Sequence, residues 1–523
     1  MNSIPVIDLF AGPGGLAEGF SSVLDEKCNR VFNIKLSVEK DENAHKTLLL
    51  RSFCRQFPVG ELPKEYYAML KERILDEREK KIKNLYNLYS KEYNEANQEA
   101  WHAELGNKDF PPELVDKRII EALNGHEKWL LIGGPPCQAY SMAGRSRVGG
   151  IDEKDHRVYL YKEYLRIIAF HQPSVFVMEN VKGLLSAKVN GEKVFDWILN
   201  DLKMPSSVFP DSKSKNYKIY SFVKKEILDD RDYLIKTEKY GIPQKRHRVI
   251  LLGVREDINL IPDIIKSKKQ VSLESVIGNL PKLRSVINRK FDRFEVRKNK
   301  KKRYYINLID NNFLWEESIN VFAKDILTWT GFKDCKSMNL LKCPNDGVGS
   351  EYVFAKNTLS QNHPLYNWYT DDNLDGLPNH ESRSHLQEDL KRYLFAALYT
   401  SINKKFPRMK DYAEHNKALI PDHESAQTGK FADRFRVQVP DEPATTVTSH
   451  ISKDGHYFIH YDPEQCRSLT VREAARIQTF PDNYLFCGSR TQQFHQVGNA
   501  VPPYLAKQLA EVVFKIFSDE RII

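Results

Sequence analysis

The opening of the chain alternates between short apolar runs and a segment of helical spacing, with a glycine-rich turn between them. Pro5 to Phe10 is short and apolar, Leu16 to Leu24 has apolar residues at helical spacing, and Val31 to Val38 alternates apolar with polar residues. A strand, a turn, a helix and a second strand in this order form a βαβ unit, in which the two strands are parallel. The opening therefore predicts an α/β fold built on a parallel sheet.

The alternation of strands and helices is interrupted once and then resumes. No glycine or proline lies between Lys64 and Leu105, and apolar residues recur every three to four positions among Glu and Lys. This spacing predicts one or two amphipathic helices, within an inserted stretch of about residues 61–127 to which we assign a structural role. Beyond it, strands are predicted at 129–132, 174–178, 218–223 and 248–254, and helices at 158–170 and 193–202.

A chain of 523 residues is too long for one compact core, so at least two domains are expected. The pattern changes near residue 256, and residues 257–462 are mostly irregular, basic at first and then aromatic-rich. Residues 463–523 return to α/β patterning and end in a helix predicted to start near Pro503. We interpret residues 1–256 and 463–523 as one domain, into which residues 257–462 are inserted.

The net charge of +9 is concentrated in one segment. Arg284 to Arg303 contains ten Lys or Arg residues and two acids, so it carries almost the whole surplus. Such a run forms either a solvated surface or a strip that contacts phosphates, whose binding would weaken steeply with salt. Aromatic residues lie within it or beside it, at Phe291, Phe294, Tyr304 and Tyr305.

Several classes of protein are disfavoured by composition. The chain has no run of eighteen apolar residues, and its first residues lack a charged stretch followed by an apolar one, so we expect a soluble intracellular protein without a membrane segment. The seven cysteines are odd in number and scattered, with no CxxC pair. We therefore expect neither a disulfide framework nor a bound metal.

Cys137 follows an apolar strand, two glycines and two prolines in the run Leu130–Ser141. Gly133 and Gly134 let the backbone turn closely, and the two prolines stiffen the chain before the thiol. A thiol at this edge of a parallel sheet lies where open α/β folds bind ligands. At this point it is either a small buried apolar residue or a nucleophile.

Three other segments place polar side chains at the ends of predicted strands. The glycine turn of Asp8–Phe20 followed by Glu39 at the end of the second strand fits an adenosine ligand, although such turns also occur without one. Glu179 ends an apolar strand, where it is either a surface residue or a ligand contact. Arg246 and Arg248 share one strand face, either as a salt-bridged rim or directed at a polar substrate.

The order of six sequence blocks resembles that of the DNA cytosine-5 methyltransferase family of the bacterial restriction–modification type. The blocks are DLFAGPGG, GGPPCQAYS, MENVKGLL, GIPQKRHRVILLG, SLTVREAARIQTFPD and QVGNAVPP, and they lie within residues 1–20, 129–185, 240–255 and 468–505. The resemblance implies a doubly wound, Rossmann-like methyltransferase domain that uses S-adenosylmethionine, with residues 257–462 as the target-recognition domain. It does not account for residues 61–127 or for most of 257–440.

The family's motifs imply roles for single residues. Cys137 matches the nucleophile that adds to C6 of cytosine, and Glu179 matches the acid that contacts N3 and the exocyclic amine. Arg248 matches the arginine near O2, with Arg246 beside it. The positions that match cofactor contacts are Phe10, Gly12, Gly14, Glu39, Pro136, Leu160, Asn499 and Val501. Thr446 and Val447 resemble the Thr-Leu pair that closes the family's recognition region. The residues expected to contact DNA are Gln138, Arg289, Lys290, Arg293, Lys300, Lys301 and Thr446.

Two positions depart from the family pattern. Lys40 stands where many members carry an aromatic residue over the adenine ring, which bears on cofactor affinity. The acid that meets the adenine amine falls in the stretch displaced by the insertion, and Glu104 and Asp116 are both candidates.

The resemblance implies methyl transfer to C5 of a cytosine flipped out of double-stranded DNA, in a cytoplasmic, nucleoid-associated, prokaryotic monomer. A cognate restriction endonuclease would be its functional partner. Two alternatives stay open, a tRNA cytosine-5 methyltransferase and a catalytically silent DNA-binding homologue. Some 200 residues lie between Glu256 and Tyr461. A recognition region of this length favours DNA over tRNA, because the tRNA-methylating branch usually has a short one.

Overall fold

The computed structural model describes residues 3–136, 156–189, 191–297, 300–332, 341–421 and 434–518. In chain order, the strands are β1 (Ile4–Leu9), β2 (Phe32–Glu39), β3 (Ala100–His102), β4 (Leu130–Gly133), β5 (Val175–Val181), β6 (Lys188–Val189), β7 (Glu192–Lys193), β8 (Tyr217–Ser221), β9 (Leu234–Lys236), β10 (Gln244–Lys245), β11 (His247–Arg255), β12 (Val286–Arg297), β13 (Lys300–Asn307), β14 (Gly349–Phe354), β15 (Gly376–Glu381), β16 (Ser384–Leu386) and β17 (Ala444–Thr445). The largest sheet has the order β3-β2-β1-β4-β5-β11-β8, with β9 paired to β11. Strands β3, β2, β1, β4 and β5 are parallel, and β11 runs antiparallel to β5, β8 and β9.

The helices are α1 (Gly15–Ser21), α2 (Glu42–Arg55), α3 (Lys64–Leu70), α4 (Leu75–Leu88), α5 (Ser90–Glu99), α6 (Pro112–Leu123), α7 (His156–His171), α8 (Val194–Lys203), α9 (Leu273–Ile277), α10 (Asn312–Ile326), α11 (Tyr366–Tyr369), α12 (Gln387–Asn403), α13 (Met409–His415), α14 (Val471–Ile477), α15 (Arg490–Asn499) and α16 (Pro503–Phe517). Alternate strand residues enter two separate cores, because successive side chains of a strand point to opposite faces. Leu131 and Met178 pack against α6, α7 and α8, whereas Ile132 and Val177 pack with residues of α1 and α16. Helices therefore cover both faces of the sheet, which confirms the doubly wound α/β fold.

The glycine-free stretch after Lys64 forms three helices, α3, α4 and α5, where one or two were predicted. The chain turns between α4 and α5 at Tyr89, whose backbone leaves the helical region although its sequence carries no glycine or proline. Strand β3 and helix α6 follow within the predicted insertion, and β3 pairs in parallel with the end of β2. The structure thus returns to the main sheet at Ala100.

The middle region, defined as residues 257–462, contains more regular structure than its composition predicts. Strands β12 and β13 form a long hairpin, and α10 and α12 are helices of 15 and 17 residues. Most of the hairpin beyond Arg289 has no third strand, since β16 pairs only with its base. Its described side chains beyond Asn288 are all exposed or partly exposed, so neither face is buried and the alternation of apolar and polar residues that marks a half-buried strand is absent from its sequence.

The last helix of the described residues is α16, which begins at Pro503 as predicted. This helix and the residues just before it pack closely on α1, which is possible because Gly15 and Gly19 have no side chain. A Cβ at Gly15 would collide with Val501 O, and one at Gly19 would collide with Ala506. Within the described ranges, no helix is long and apolar enough to cross a membrane.

Candidate active site

A pocket of about 530 Å³ opens at the carboxyl ends of the parallel strands. Open α/β sheets bind ligands at this edge, because the loops that leave the strands diverge there. The walls come from the turn after β1, the ends of β2, β4 and β5, and the junction of α15 with α16. The predicted site residues that line it are Phe10, Gly12, Glu39, Pro136, Leu160, Glu179, Arg246, Arg248, Asn499 and Val501.

The glycine turn is tied to β2 by the carboxylate of Glu39. The Gly12 N–H donates to Glu39 Oε2 at 2.8 Å, and the Asp41 N–H donates to Glu39 Oε1 at 2.7 Å. Burial raises the pKa of Glu39 above its ordinary value, although these two hydrogen bonds act in the opposite direction. Gly14 is not one of the lining residues. It begins α1 with φ of 96°, and a side chain there would press on Leu48 and Tyr484.

The structure separates the two acids proposed for the adenine amine. Glu104 lines the pocket, where its carboxylate lies 3.0 Å from Lys40 Nζ. Asp116 instead forms an ion pair with Arg166 and a hydrogen bond with His171, each at 2.8 Å, and it is not among the lining residues. Of the two candidates, only Glu104 is placed to reach a ligand in this pocket.

Glu179 and Arg248 meet in the pocket from neighbouring antiparallel strands. Arg248 Nε lies 2.7 Å from Glu179 Oε1, and both side chains are largely buried. A side chain at Gly134 would displace the carboxylate, because its Cβ would lie 2.9 Å from Glu179 Oε2. A polar ligand in this pocket would therefore meet a carboxylate and a guanidinium side by side.

The chain leading to the predicted nucleophile reaches the same pocket. Pro136 lines it, and the Asn180 side chain donates to Pro135 O at 3.4 Å, which links this loop to β5. Cys137 and Gln138 lie outside the residues that the structure describes. Their assigned roles remain predictions.

Arg246 joins three segments that are far apart in sequence. Its side chain is fully buried, and its guanidinium donates to Val447 O at 2.7 Å and to Gly498 O at 3.3 Å. Burial lowers the pKa of Arg246 well below its ordinary value, with a further contribution from the charge of Arg248. Because these carbonyls engage its guanidinium, we interpret Arg246 as a residue that positions the pocket walls.

The segment closing the middle region is fixed against β10. The Thr446 hydroxyl donates to Lys245 O at 2.7 Å, and the Val447 N–H donates to Gln244 Oε1 at 2.7 Å. Thr446 therefore uses its hydroxyl hydrogen inside the protein. The following residues, Thr448 and Ser449, line the pocket.

The other residues predicted to contact DNA lie on the β12–β13 hairpin. Arg289 and Arg293 are exposed and Lys290 is partly so, and Arg293 stacks over Tyr304 at 4.9 Å. Lys300 and Lys301 belong to β13, but their side chains lie outside the described part. The described residues of the hairpin thus form a basic surface, and none of them lines the pocket.

Sequence reasoning missed Thr448, Ser449 and His495 as pocket residues. His495 could have been found, since it precedes Asn499 by four residues and so shares its helix face. The other two carried no such signal, because their place depends on how the middle region packs on α15. Among the described residues, no group of three or more His, Cys, Asp or Glu side chains could hold a metal ion.

A doubly wound sheet with this pocket defines an enzyme domain of the nucleotide-binding α/β class. The chain belongs to the C-5 cytosine-specific DNA methylase family, whose family model matches residues 79–515. Membership of that family makes it a DNA (cytosine-5-)-methyltransferase.

Relatives span almost the whole chain. The type II methyltransferase M.Bpa9945I of Bacillus paralicheniformis is 30% identical over 97% of this chain and 98% of its own length. The DNA (cytosine-5-)-methyltransferase M.ApeKI of Aeropyrum pernix is 27% identical over 77% of this chain and 84% of its own. A solved structure of a prophage-encoded DNA modification methyltransferase from E. coli, 19% identical, matches with a TM-score of 0.48 and covers 99% of this chain and all of that one.

Proposed function

We propose that the protein transfers a methyl group from S-adenosylmethionine to C5 of a cytosine flipped out of duplex DNA, through a covalent bond between Cys137 and C6. The observation that carries this proposal is the Glu179–Arg248 pair, which faces the same pocket as the glycine turn and the loop leading to Cys137. One cavity can then hold the target base and the methyl donor together.

The residues present fit S-adenosylmethionine. Glu39 offers a carboxylate to a ribose hydroxyl pair at the end of β2, as nucleotide-binding folds do, and Glu104 stands at the rim for an adenine amine. The glycine turn lets the ligand approach the backbone closely, and Asn499 and Val501 line the same pocket. When bound, this cofactor supplies an electrophilic methyl group. The pairing of Lys40 with Glu104 would have to adjust to the adenine ring.

The chain's own residues would make the cytosine reactive. C5 is a poor nucleophile, so the Cys137 thiolate adds to C6 and gives the ring enamine character. Glu179 holds a proton towards N3, and Arg248 stabilises the charge that develops at O2. After transfer, loss of the C5 proton to a base expels the Cys137 thiolate. A base stacked in duplex DNA cannot reach these groups, so it must be flipped out at a cost of about a few kcal/mol.

We assign target recognition to residues 257–462, with catalysis in residues 1–256 and 463–523. The β12–β13 hairpin would contact phosphates through its exposed Arg and Lys residues, which fixes the register of the duplex without reading its bases. We further propose that the protein acts as a monomer on nucleoid DNA in a prokaryotic cytoplasm. It would protect that DNA from a partner restriction endonuclease, as the type II names of its relatives suggest.

The decisive experiment is trapping on duplex DNA that contains 5-fluorocytosine, because fluorine at C5 blocks release of the enzyme. Wild type should form an adduct stable to denaturing gel electrophoresis only when S-adenosylmethionine is present. Cys137→Ala should form none, whereas Cys28→Ala, which removes an exposed free thiol elsewhere, should behave like wild type. An adduct with Cys137→Ala would refute the assigned nucleophile, and methylation of tRNA in place of duplex DNA would refute the substrate.

A further inference from the structure

The inserted helices contact the middle region through a buried ion pair. Arg78 of α4 places Nη1 2.8 Å from Glu351 Oε2 of β14, and its Nη2 donates to the Glu351 carbonyl at 3.0 Å. The two side chains are 4% and 8% exposed. Removing one partner of such a pair leaves the other charge buried and uncompensated, which is strongly destabilising, so the contact holds the two elements at a fixed distance and orientation.

Glu351 is also the meeting point of two further elements. Asn379 of β15 donates to Glu351 Oε2 at 2.9 Å, and Gln493 of α15 donates to Glu351 Oε1 at 3.3 Å. Asn379 also accepts from the Phe486 N–H at 3.0 Å, which ties the antiparallel pair β14–β15 to the segment before α15. Helix α15 ends at Asn499, in the pocket wall. The carboxylate therefore connects the inserted helices, the middle region and the helix that lines the pocket.

Weaker contacts surround this buried pair. Lys71 lies 2.6 Å from Asp375, with both side chains 37% exposed, and the Tyr67 hydroxyl donates to Asp371 at 2.9 Å. Exposed pairs of this kind stabilise little, because water competes for both partners. Among these polar contacts, the pair between Arg78 and Glu351 is the one most shielded from water, and it lies beside an apolar cluster in which Leu85 of α4 is buried with Tyr352 of β14.

We propose that Arg78 and Glu351 are positioning residues, through which the inserted helices hold the middle region at a fixed orientation to the pocket. DNA bound by the middle region would then present its target base in register with Glu179 and Arg248. The effect on methyl transfer rests on the proposed function, whereas the fixed orientation of the middle region does not. The inserted helices, which lie outside the six sequence blocks, thereby acquire a role in the reaction.

Hydrogen exchange tests the mechanical part directly. In Arg78→Met, the amides of β14 and β15 should exchange at least tenfold faster, while those of β4 and β5 keep their wild-type rates. The matched control is Lys80→Met, which breaks an exposed pair with Glu77 on the same helix and should change neither set. Unchanged rates in β14 and β15, or equal acceleration in all four strands, would overturn the proposal.

Kinetics test the catalytic part. In Arg78→Met the single-turnover rate of methyl transfer should fall at least tenfold, while the affinities for duplex DNA and for S-adenosylmethionine stay within threefold. A variant that is merely unstable would lose all three together, and an unchanged rate would refute a positioning role. Should Arg78→Met not fold, Glu351→Gln removes the charge but keeps an oxygen acceptor, and it is expected to show the same pattern. A wild-type protein that methylates no DNA would refute the proposed function and leave the exchange result valid.

Discussion

Replacement of Gly498 by alanine should separate two walls of the pocket. A Cβ at this position would lie 2.5 Å from Thr448 O and would also meet Ser449 N, and both atoms are backbone. Because a relaxed contact needs about 3.4 Å, α15 and the 448–449 segment must move apart by about 1 Å. That movement would also stretch the hydrogen bonds from Arg246 to Val447 O and Gly498 O, which join the same walls.

The expected loss follows from this displacement. Overpacking of this size costs about 1–3 kcal/mol of folding stability, and a misplacement of about 1 Å can cost about 100-fold in rate. We expect Gly498→Ala to slow methyl transfer from labelled S-adenosylmethionine to duplex DNA by roughly that factor. Thr491→Ala, at an exposed position on the same helix, is the control and should stay near wild type. A Gly498→Ala enzyme within threefold of wild-type rate, with an unchanged urea midpoint, would show that the two walls can separate freely.

Three further predictions concern pH, the cofactor and salt. Burial lowers the pKa of His380 and of His460 to about 4, so stability present above pH 6.5 should be lost towards pH 4, by about 2 kcal/mol for each between pH 7.5 and 5. Urea titrations at both pH values check this, and a His380→Gln, His460→Gln double variant with the wild-type pH dependence would contradict it. In Glu39→Gln the side-chain NH2 would face one of the two N–H donors, Gly12 or Asp41, that the carboxylate now accepts from. Calorimetry should show S-adenosylmethionine binding at least tenfold weaker, and unchanged affinity would exclude Glu39 from the cofactor site. Changing Lys290 and Lys302 to serine should reduce the slope of log affinity for DNA against log salt by up to about 2, and an unaltered slope would place phosphate contacts elsewhere.

The sheet and the centre of the pocket could be predicted because local signals determine them. Glycines mark the turn after β1, and polar residues interrupt apolar strands at Glu39 and Glu179. In a parallel sheet these interruptions fall at one edge, so residues distant in sequence were expected to converge there. The structure places Glu39, Glu179 and Arg248 in one pocket accordingly.

What could not be predicted depends on packing between distant segments. The sequence does not distinguish Glu104 from Asp116, because both are acids in the inserted stretch. In the structure, Asp116 contacts Arg166 and His171, whereas Glu104 lines the pocket. The contribution of Ser449 likewise depends on close backbone contact with α15, which follows from the absence of a side chain at Gly498. Neither arrangement has a local pattern that could reveal it.

The packing of α1 on α16 has a consequence for the order of synthesis. Gly15 and Val501 lie near opposite ends of the 523-residue chain, and they are in direct contact beside the pocket. Val501 follows Gly15 by 486 residues, so the ribosome adds this wall of the pocket long after the glycine turn. We expect a chain that ends before Pro503 to bind no S-adenosylmethionine, and binding by such a chain would contradict this view. A nascent chain would then stay inactive until α16 has left the ribosome, so methylation could not begin while residues before Pro503 are still being added.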